Sequence, residues 1–257
     1  MYWNKFFNDN QNIINCYDEI NIKIKEFIIN GADVNEVNDS EDSPLHIASK
    51  KGYLEVIKIL IENKVNINKK NNHGNTSLHL VSKKGYTEIA KILIYNKAFI
   101  NNKNIYNIDP IHLASLNGHS DIIKLLLENK SDINITSNYD NTSIHFACMN
   151  GHLEVVKILL DNNANINVIN KYNETPLHDA SRNGHLEVVK ILVQNGICLN
   201  IKNKDNLTAV EVTKNDEIIE YLSNTNQMFD NRKIYHYFWV IVFNNKLNGK
   251  IKNKLMD

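Results

Sequence analysis

The stretch ETPLHDASRNGHLEVVKILVQNG, residues 174–196, contains the elements that decide the fold of this chain. It holds two histidines, His178 and His185, with the carboxylates of Asp179 and Glu187 close by in sequence. Imidazoles and carboxylates at this density are also the components of a metal site or an acid–base pair. The rest of the chain distinguishes a chemical role for these groups from a structural one.

The motif of this stretch recurs along the chain at a spacing of 33 residues. Four further histidines precede His178 at that spacing, and a glycine lies six residues after each histidine. A fixed period of about 20–50 residues is typical of repeat proteins, in which stacked units share one continuous core. The histidines are His46, His79, His112, His145 and His178, and the glycines are Gly52, Gly85, Gly118, Gly151 and Gly184.

Each unit has the pattern of two short helices and a turn. A Ser, Thr or Asp stands three residues before each repeated histidine, where its side-chain oxygen can cap a helix N-terminus. All three prolines of the chain directly follow such a residue, at the helical position that tolerates proline best. The repeated glycine can end this helix because it readily adopts positive φ. Apolar residues at helical spacing, such as Val188, Ile191 and Leu192, then predict a second helix.

This pattern resembles the ankyrin repeat, whose period and whose T-P-L-H, G-H-x-E and G-A-D-V-N elements it matches. The resemblance covers residues 5–222 and implies an all-α solenoid of stacked helix–turn–helix units with short β-turn or hairpin loops. Residues 223–257 do not fit the repeat and form a basic, aromatic tail. The predicted units are a degenerate capping repeat at 5–37, full repeats at 38–70, 71–103, 104–136, 137–169 and 170–202, and a shortened capping repeat at 203–222.

The two end units are predicted to act as caps with one polar face. In the first, the segment QNIINCYDEI, residues 11–20, is expected to form a polar, irregular first helix, and residues 21–30 the second. The last unit keeps the register at Thr208 but lacks the repeated glycine, and it carries charged residues where inner repeats are apolar.

Composition limits the classes of function. Lys plus Arg and Asp plus Glu both number 29 among 257 residues, so the zero net charge disfavours a nucleic-acid partner. The cysteines Cys16, Cys148 and Cys198 lack metal-ligand spacing and are expected to be free thiols in a reducing compartment. Neither a signal peptide nor an apolar run of about 20 residues is recognised, which predicts an intracellular, cytoplasmic protein.

The histidines are interpreted as structural. Stacked one repeat apart, at roughly the 10 Å of packed helices, they could not share a metal at bond lengths of about 2.0–2.1 Å. Tyr53 and Tyr86 occupy the slot that His119, His152 and His185 fill in later repeats, which also argues against a ligand role. No nucleophile–base set, phosphate loop or CxxC motif appears. The chain is therefore predicted to be non-enzymatic, with no cofactor, no metal and no small-molecule substrate.

A column of asparagines recurs with the same period of 33, and we expect their amides to bond backbone groups of the turns. The resemblance adds that the histidine at the helix start hydrogen-bonds within the loops that join neighbouring repeats. The asparagines are Asn35, Asn68, Asn101, Asn134, Asn167 and Asn200.

The resemblance implies that a protein partner lies against the turn tips and the exposed face of the first helices, on the concave surface. Tyrosine is favoured in such interfaces because its ring offers rigid, amphipathic area, although each ring could instead pack on the next turn. One column of turn positions places tyrosines in three consecutive repeats; it reads Ser40, His73, Tyr106, Tyr139, Tyr172 and Asp205.

A second variable column lies at the end of the first helices. Lysines in the first two full repeats predict a basic patch that would steer an acidic partner, or a merely solvated face. Later repeats offer apolar residues and an arginine, and an acid replaces an apolar residue beside the groove in the last full repeat. The predicted contacts in this region are Lys50, Lys51, Lys83, Lys84, Leu116, Met149, Asp179 and Arg182.

The tail combines the aromatic, β-branched run YHYFWVIVF with six Lys or Arg and one acid between Asn231 and Asp257. It could pack on the last repeat, dock to a partner or lie on an anionic membrane. The predicted function is protein binding by a monomeric adaptor or scaffold. Two alternatives stay open: membrane or nucleic-acid association through the tail, and recruitment of ubiquitin ligase machinery, for which the tail gives no convincing module match.

Overall fold

The computed structural model describes residues 2–14 and 16–227, which form thirteen helices and, within those ranges, no strand. The helices follow one another in pairs joined by short turns. They are α1 (Tyr2–Asp9), α2 (Tyr17–Ile29), α3 (Pro44–Lys51), α4 (Leu54–Glu62), α5 (Ser77–Lys84), α6 (Thr87–Tyr95), α7 (Pro110–Leu116), α8 (Ser120–Glu128), α9 (Ser143–Met149), α10 (Leu153–Asp161), α11 (Pro176–Arg182), α12 (Leu186–Gln194) and α13 (216–227).

The helices form two layers. The first helices of successive pairs, α3, α5, α7, α9 and α11, contact one another in chain order, and so do the second helices from α2 to α12. Each repeat contributes one buried residue at the same position of each layer, so the core runs continuously along the stack. These residues are Leu45, Leu78, Ile111, Ile144 and Leu177 in the first layer, and Ile57, Ala90, Ile123, Val156 and Val189 in the second.

The start of each first helix is fixed by a capping box. In α5 the Thr76 hydroxyl accepts from the backbone N–H of His79, while Nδ1 of His79 accepts from the backbone N–H of Thr76 at 3.1 Å. Ser43, Asp109, Thr142 and Thr175 cap the other four helices in the same way. The sequence prediction that these residues are N-caps is confirmed.

The turn tips are linked from one repeat to the next by backbone hydrogen bonds. The N–H of Asn138 donates to the carbonyl of Tyr106 at 3.1 Å, and the N–H of Lys171 donates to the carbonyl of Tyr139 at 2.9 Å. The same bond joins Lys204 to Tyr172 at 2.9 Å. The tips therefore form one continuous edge of the stack.

The first helix does not lie where the sequence pattern placed it. Residues 11–14 are turns, and helix α1 instead covers Tyr2–Asp9. Trp3, Phe6 and Phe7 stand at helical spacing on its buried face, and the Trp3 indole N–H donates to the carbonyl of Asp33 at 2.8 Å. Aromatic burial at that spacing outweighs the polar segment that follows, so the prediction of a polar first helix over residues 11–20 is wrong.

At the other end, residues 209–212 are turns and bends, and helix α13 extends to residue 227, past the predicted limit of 222. Ile218 and Leu222 of this helix are buried. Across residues 2–14 and 16–227, no helix combines the length and the apolar character needed to cross a membrane. The predictions for the aromatic run and the basic end of the tail fall on residues 228–257, outside the described residues.

Candidate protein-binding site

The repeated histidines at the helix starts hold neighbouring repeats together. Nε2 of His79 donates to the carbonyl of Ile108 in the next repeat at 3.1 Å, and Nε2 of His145 donates to the carbonyl of Glu174 at 3.1 Å. Burial lowers the pKa of both imidazoles to about 4, so they are neutral at pH 7. The structural interpretation of this column is confirmed.

The second histidine column also packs between repeats. Nε2 of His119, His152 and His185 donates at 3.1 Å to a carbonyl at the end of the preceding repeat's first helix. The ring of His185 lies so close to Gly151 that a Cβ there would be 2.5 Å from Nδ1. Within the part of the chain that the structure describes, no three His, Cys, Asp or Glu side chains are grouped to hold a metal ion.

The asparagine column bonds turn backbone across repeats, as expected. Oδ1 of Asn68 accepts from the N–H of Phe99 at 2.7 Å, and Oδ1 of Asn167 accepts from the N–H of Cys198 at 2.8 Å. A further column, which sequence reasoning missed, holds the turn tips themselves. Oδ1 of Asn104 accepts from the N–H of Tyr106 at 2.9 Å, and the same bond joins Asn170 to Tyr172 at 2.8 Å.

The signal for this missed column is a second set of asparagines with the 33-residue period, at positions 38, 71, 104, 170 and 203. Their carboxamides accept from two turn N–H groups each, because a side-chain oxygen two or four residues away replaces a backbone acceptor. They fix the geometry of the tips that carry the variable residues.

The three tyrosines predicted as a ladder lie exposed on consecutive tips. Tyr106, Tyr139 and Tyr172 are 57%, 58% and 51% exposed. The rings of Tyr139 and Tyr172 stack, with centroids 6.2 Å apart and planes inclined by 17°. The backbone of Tyr106 and Tyr172 is hydrogen-bonded through both the N–H and the carbonyl, and that of Tyr139 through its carbonyl, so these bonds hold the aromatic edge in place.

The four lysines at the ends of α3 and α5 are all exposed, but they do not all lie in the same place. Lys50, Lys83 and Lys84 line one groove with a cavity volume of about 370 Å³. Lys51 lies elsewhere, with its Nζ 5.6 Å from the ring centroid of Tyr53. The predicted basic patch is therefore three lysines around a groove and one lysine apart from it.

Leu116 and Met149 follow the lysines in the next two repeats and are half-buried. Their carbonyls accept the bonds from His152 and His185, which fixes the ends of α7 and α9. Each residue keeps part of its surface accessible.

Asp179 and Arg182 differ from the sequence expectation. Asp179 is only 2% exposed and its Oδ2 lacks a hydrogen-bond partner, so this carboxyl belongs to the packed interior and offers no surface to a partner. Burial, helped by the charge of Glu174, raises its pKa to about 7. Arg182 is exposed but already bonded through both terminal nitrogens to the carboxylate of Glu174. Its guanidinium holds the pKa of Glu174 below the usual value although burial opposes this.

Paired helices stacked in two layers, with a rigid edge of tips and variable side chains on it, define a helical repeat protein of the solenoid class. The family model described as "Ankyrin repeats (3 copies)" matches residues 16–104 and 111–203, more than half of the chain. The chain therefore belongs to the ankyrin repeat family.

Among solved structures, the chain is similar to the ankyrin repeat domain of human ASB11. The two share 26% sequence identity with a TM-score of 0.71, over 80% of this chain and 93% of that one. No curated protein matches the sequence significantly.

Proposed function

We propose that this protein is an adaptor or scaffold that binds a protein partner through the edge formed by Tyr106, Tyr139 and Tyr172. Ankyrin repeats are in general protein–protein interaction modules and typically have no catalytic activity. The finer assignment, to these residues and to a monomeric cytoplasmic adaptor, is our proposal.

The observation that carries the proposal is the exposure of three tyrosines in register. Folded proteins seldom leave several large aromatic rings more than half exposed side by side unless the surface binds something. Tyrosine is enriched among the residues that dominate binding energy, because it buries a large area while losing little side-chain entropy.

The rigidity of the tips supports the same proposal. Each tyrosine carbonyl accepts from the N–H of the next turn, and two of the tyrosine N–H groups donate to an asparagine in their own turn. A surface already held in its bound conformation loses little conformational entropy on association. A specific interface of about 800 Å² on this side would extend over several tips and first helices.

The neighbouring variable side chains would complete the interface. Leu116 and Met149 supply accessible apolar area in the same repeats as Tyr106 and Tyr139, and Lys50, Lys83 and Lys84 supply positive charge toward the N-terminal repeats. Arg182 would contact a partner through the exposed part of its side chain, while its guanidinium stays bonded to Glu174. We exclude Asp179 from the contact set because it is buried.

The test is affinity capture from cell extract with a Tyr106→Ala, Tyr139→Ala, Tyr172→Ala variant. We expect recovery of the proteins captured by the wild type to fall at least about tenfold, with little change in melting temperature. The matched control is Tyr95→Ala with Phe99→Ala, which removes two aromatics that are 84% and 62% exposed outside the ladder. Equal recovery by all three proteins would refute the proposal.

A further inference from the structure

The groove beside the N-terminal tips is a candidate site of its own. It lies between the turns and first helices of two successive repeats and has a cavity volume of about 370 Å³. Pockets of about 300–1,000 Å³ are the size that proteins use to hold a compact group. Its charged lining consists of Lys50, Lys83 and Lys84 against a single acid, Asp42.

The residues that line this groove differ from those at the equivalent positions of later repeats. Ser40 and His73 line it at the tip positions that later repeats fill with tyrosine. Leu80 supplies an apolar part of the lining, at the position that Phe146 occupies two repeats later. Smaller tip residues and two adjacent lysines on each helix therefore coincide in these repeats alone.

The one acid in the groove does not cancel its positive charge. Three lysines outnumber this carboxylate, whose Oδ1 accepts from Nδ2 of Asn71 at 2.7 Å and so holds the neighbouring turn. The lysines, the His73 imidazole, the Ser40 hydroxyl and the amides of Asn71 and Asn75 are the remaining polar groups of the lining. Ammonium groups donate hydrogen bonds and accept none, so the group that suits this lining is an anionic acceptor.

We propose that this groove binds an anionic side chain, a carboxylate or a phosphate, of an extended peptide segment in the partner. The inference rests on the proposed function and specifies the chemistry of the partner at one end of the interface. The apolar contribution of Leu80 suits the carbon stem of such a side chain, while the lysines hold its charged end.

A peptide fits the surface better than a nucleic acid. A single-stranded nucleic acid needs a continuous basic track together with stacking platforms. Beyond Lys83 the same column continues with Leu116 and Met149, so the basic lining stops after one groove. The chain as a whole carries no net positive charge to add long-range attraction.

The test uses fluorescence anisotropy with the full chain and four labelled probes. They are a dodecapeptide of alternating glutamate and alanine, its glutamine counterpart, the glutamate peptide with one central phosphoserine, and a single-stranded RNA of equal length. The groove variant is Lys50→Gln with Lys83→Gln. The control variant, Lys124→Gln with Lys157→Gln, removes the same charge from exposed lysines of the second-helix layer.

We expect the glutamate and phosphoserine peptides to bind, the glutamine peptide to bind at least about tenfold more weakly, and the groove variant to raise Kd about tenfold. The control variant should change Kd less than about twofold. The ratio of the two acidic peptides' affinities assigns the preferred anion, carboxylate or phosphate. Equal weakening by both variants, tighter binding of the RNA, or no binding of either acidic peptide would each overturn the proposal.

Failure here is distinguishable from failure of the proposed function. If neither acidic peptide binds while the triple tyrosine variant still loses its captured partners, the groove assignment is wrong and the tyrosine edge stands. If the tyrosine variant also captures its partners normally, the proposed function is wrong as well.

Discussion

At the scale of single residues, Asp179 breaks the apolar pattern of its own column in the stack. The corresponding positions in the other full repeats hold Ile47, Leu80, Leu113 and Phe146, whereas here a carboxyl is buried with one oxygen lacking a partner. Such a group destabilises the folded state when ionised, because the interior cannot replace its hydration. Asp179 therefore lowers the free energy of unfolding by an amount that depends on pH.

The sign of this dependence follows from the raised pKa of about 7, compared with 3.8 for an ordinary aspartate. The folded state retains the proton that the unfolded state has lost, so stability falls as pH rises from about 4 to 7 and levels off above that range. We expect Asp179→Asn to stabilise the protein by about 2 kcal/mol more at pH 7.5 than at pH 5, measured by urea unfolding.

The buried histidines also make stability depend on pH, but in the opposite direction. Comparing variant and wild type at each pH cancels their contribution to the free energy of unfolding. His79 and His145, with pKa lowered to about 4, favour the folded state above pH 6.5 and lose that contribution as pH falls toward 4. Asp205→Asn, which changes an exposed carboxylate, serves as the control. A gain from Asp179→Asn that is the same at both pH values would contradict the account.

Most residue roles in the stack are predictable because each is repeated five times in register. The capping residues, the repeated histidines and the helix-ending glycines all lie where the sequence places them. The burial of Asp179 is not predictable in this way, since a column of apolar residues shows only that the position faces other side chains. Whether a carboxyl there turns outward depends on the packing of the whole repeat.

At the scale of helices and turns, the stack depends on close contact between a glycine of one repeat and an imidazole or phenol ring of the next. The rings of Tyr86, His119, His152 and His185 each lie against such a glycine. The position accepts either ring type because both are flat and reach the same gap. The glycine is required twice, for its positive φ and for the absence of a Cβ.

Gly151 and Gly196 allow the two requirements, positive φ and the absence of a Cβ, to be measured separately. Gly151 has φ of +71° and a Cβ there would meet the His185 ring, whereas Gly196 has φ of +80° and nothing within 4 Å. We expect Gly196→Ala to cost about 1 kcal/mol from backbone strain alone, and Gly151→Ala about 2 kcal/mol more because the ring must move. Urea unfolding of the two variants measures the difference.

A third variant isolates the steric part of the destabilisation at position 151. Adding His185→Ala to Gly151→Ala should remove most of the extra cost relative to His185→Ala alone, since the ring is then absent. Equal destabilisation by Gly151→Ala and Gly196→Ala would show that the ring contact does not matter.

Helix positions are predictable in the inner repeats but not at the N-terminus. Inside the stack, Pro44, Pro110 and Pro176 mark helix starts and the pattern repeats without gaps. In the first unit no such marker exists, and α1 is defined only by the buried aromatics Trp3, Phe6 and Phe7. A cap has one neighbour instead of two, so its sequence follows the local packing and departs from the repeat.

At the scale of the whole molecule, stacking brings the equivalent positions of successive repeats together on one surface. Positions that the repeat fixes form the two buried layers, and the positions it leaves free come together on the tips and first helices. The basic groove thus lies in the first two full repeats, and the tyrosine edge and the apolar pair Leu116 and Met149 lie in the repeats that follow.

This arrangement explains which parts of the site the sequence could predict. The tyrosine column and the lysine columns are visible at a spacing of 33 residues, because stacking brings equivalent positions together. The groove is not visible in this way, since it needs Ser40 and His73 to leave space between two lysine-bearing helices. Nor does the spacing show that Lys51 lies over Tyr53, outside the groove.

We propose that the tyrosine edge is the surface that a protein partner covers. Site-specific photo-crosslinking tests it most directly, with p-benzoylphenylalanine placed at Tyr139 in one protein and at Tyr95 in another. Both positions are exposed, at 58% and 84%, so either probe can react with a bound neighbour. We predict protein adducts in cell extract from position 139 and few or none from position 95, whereas adducts from 95 alone, or equal adducts from both, would contradict the account.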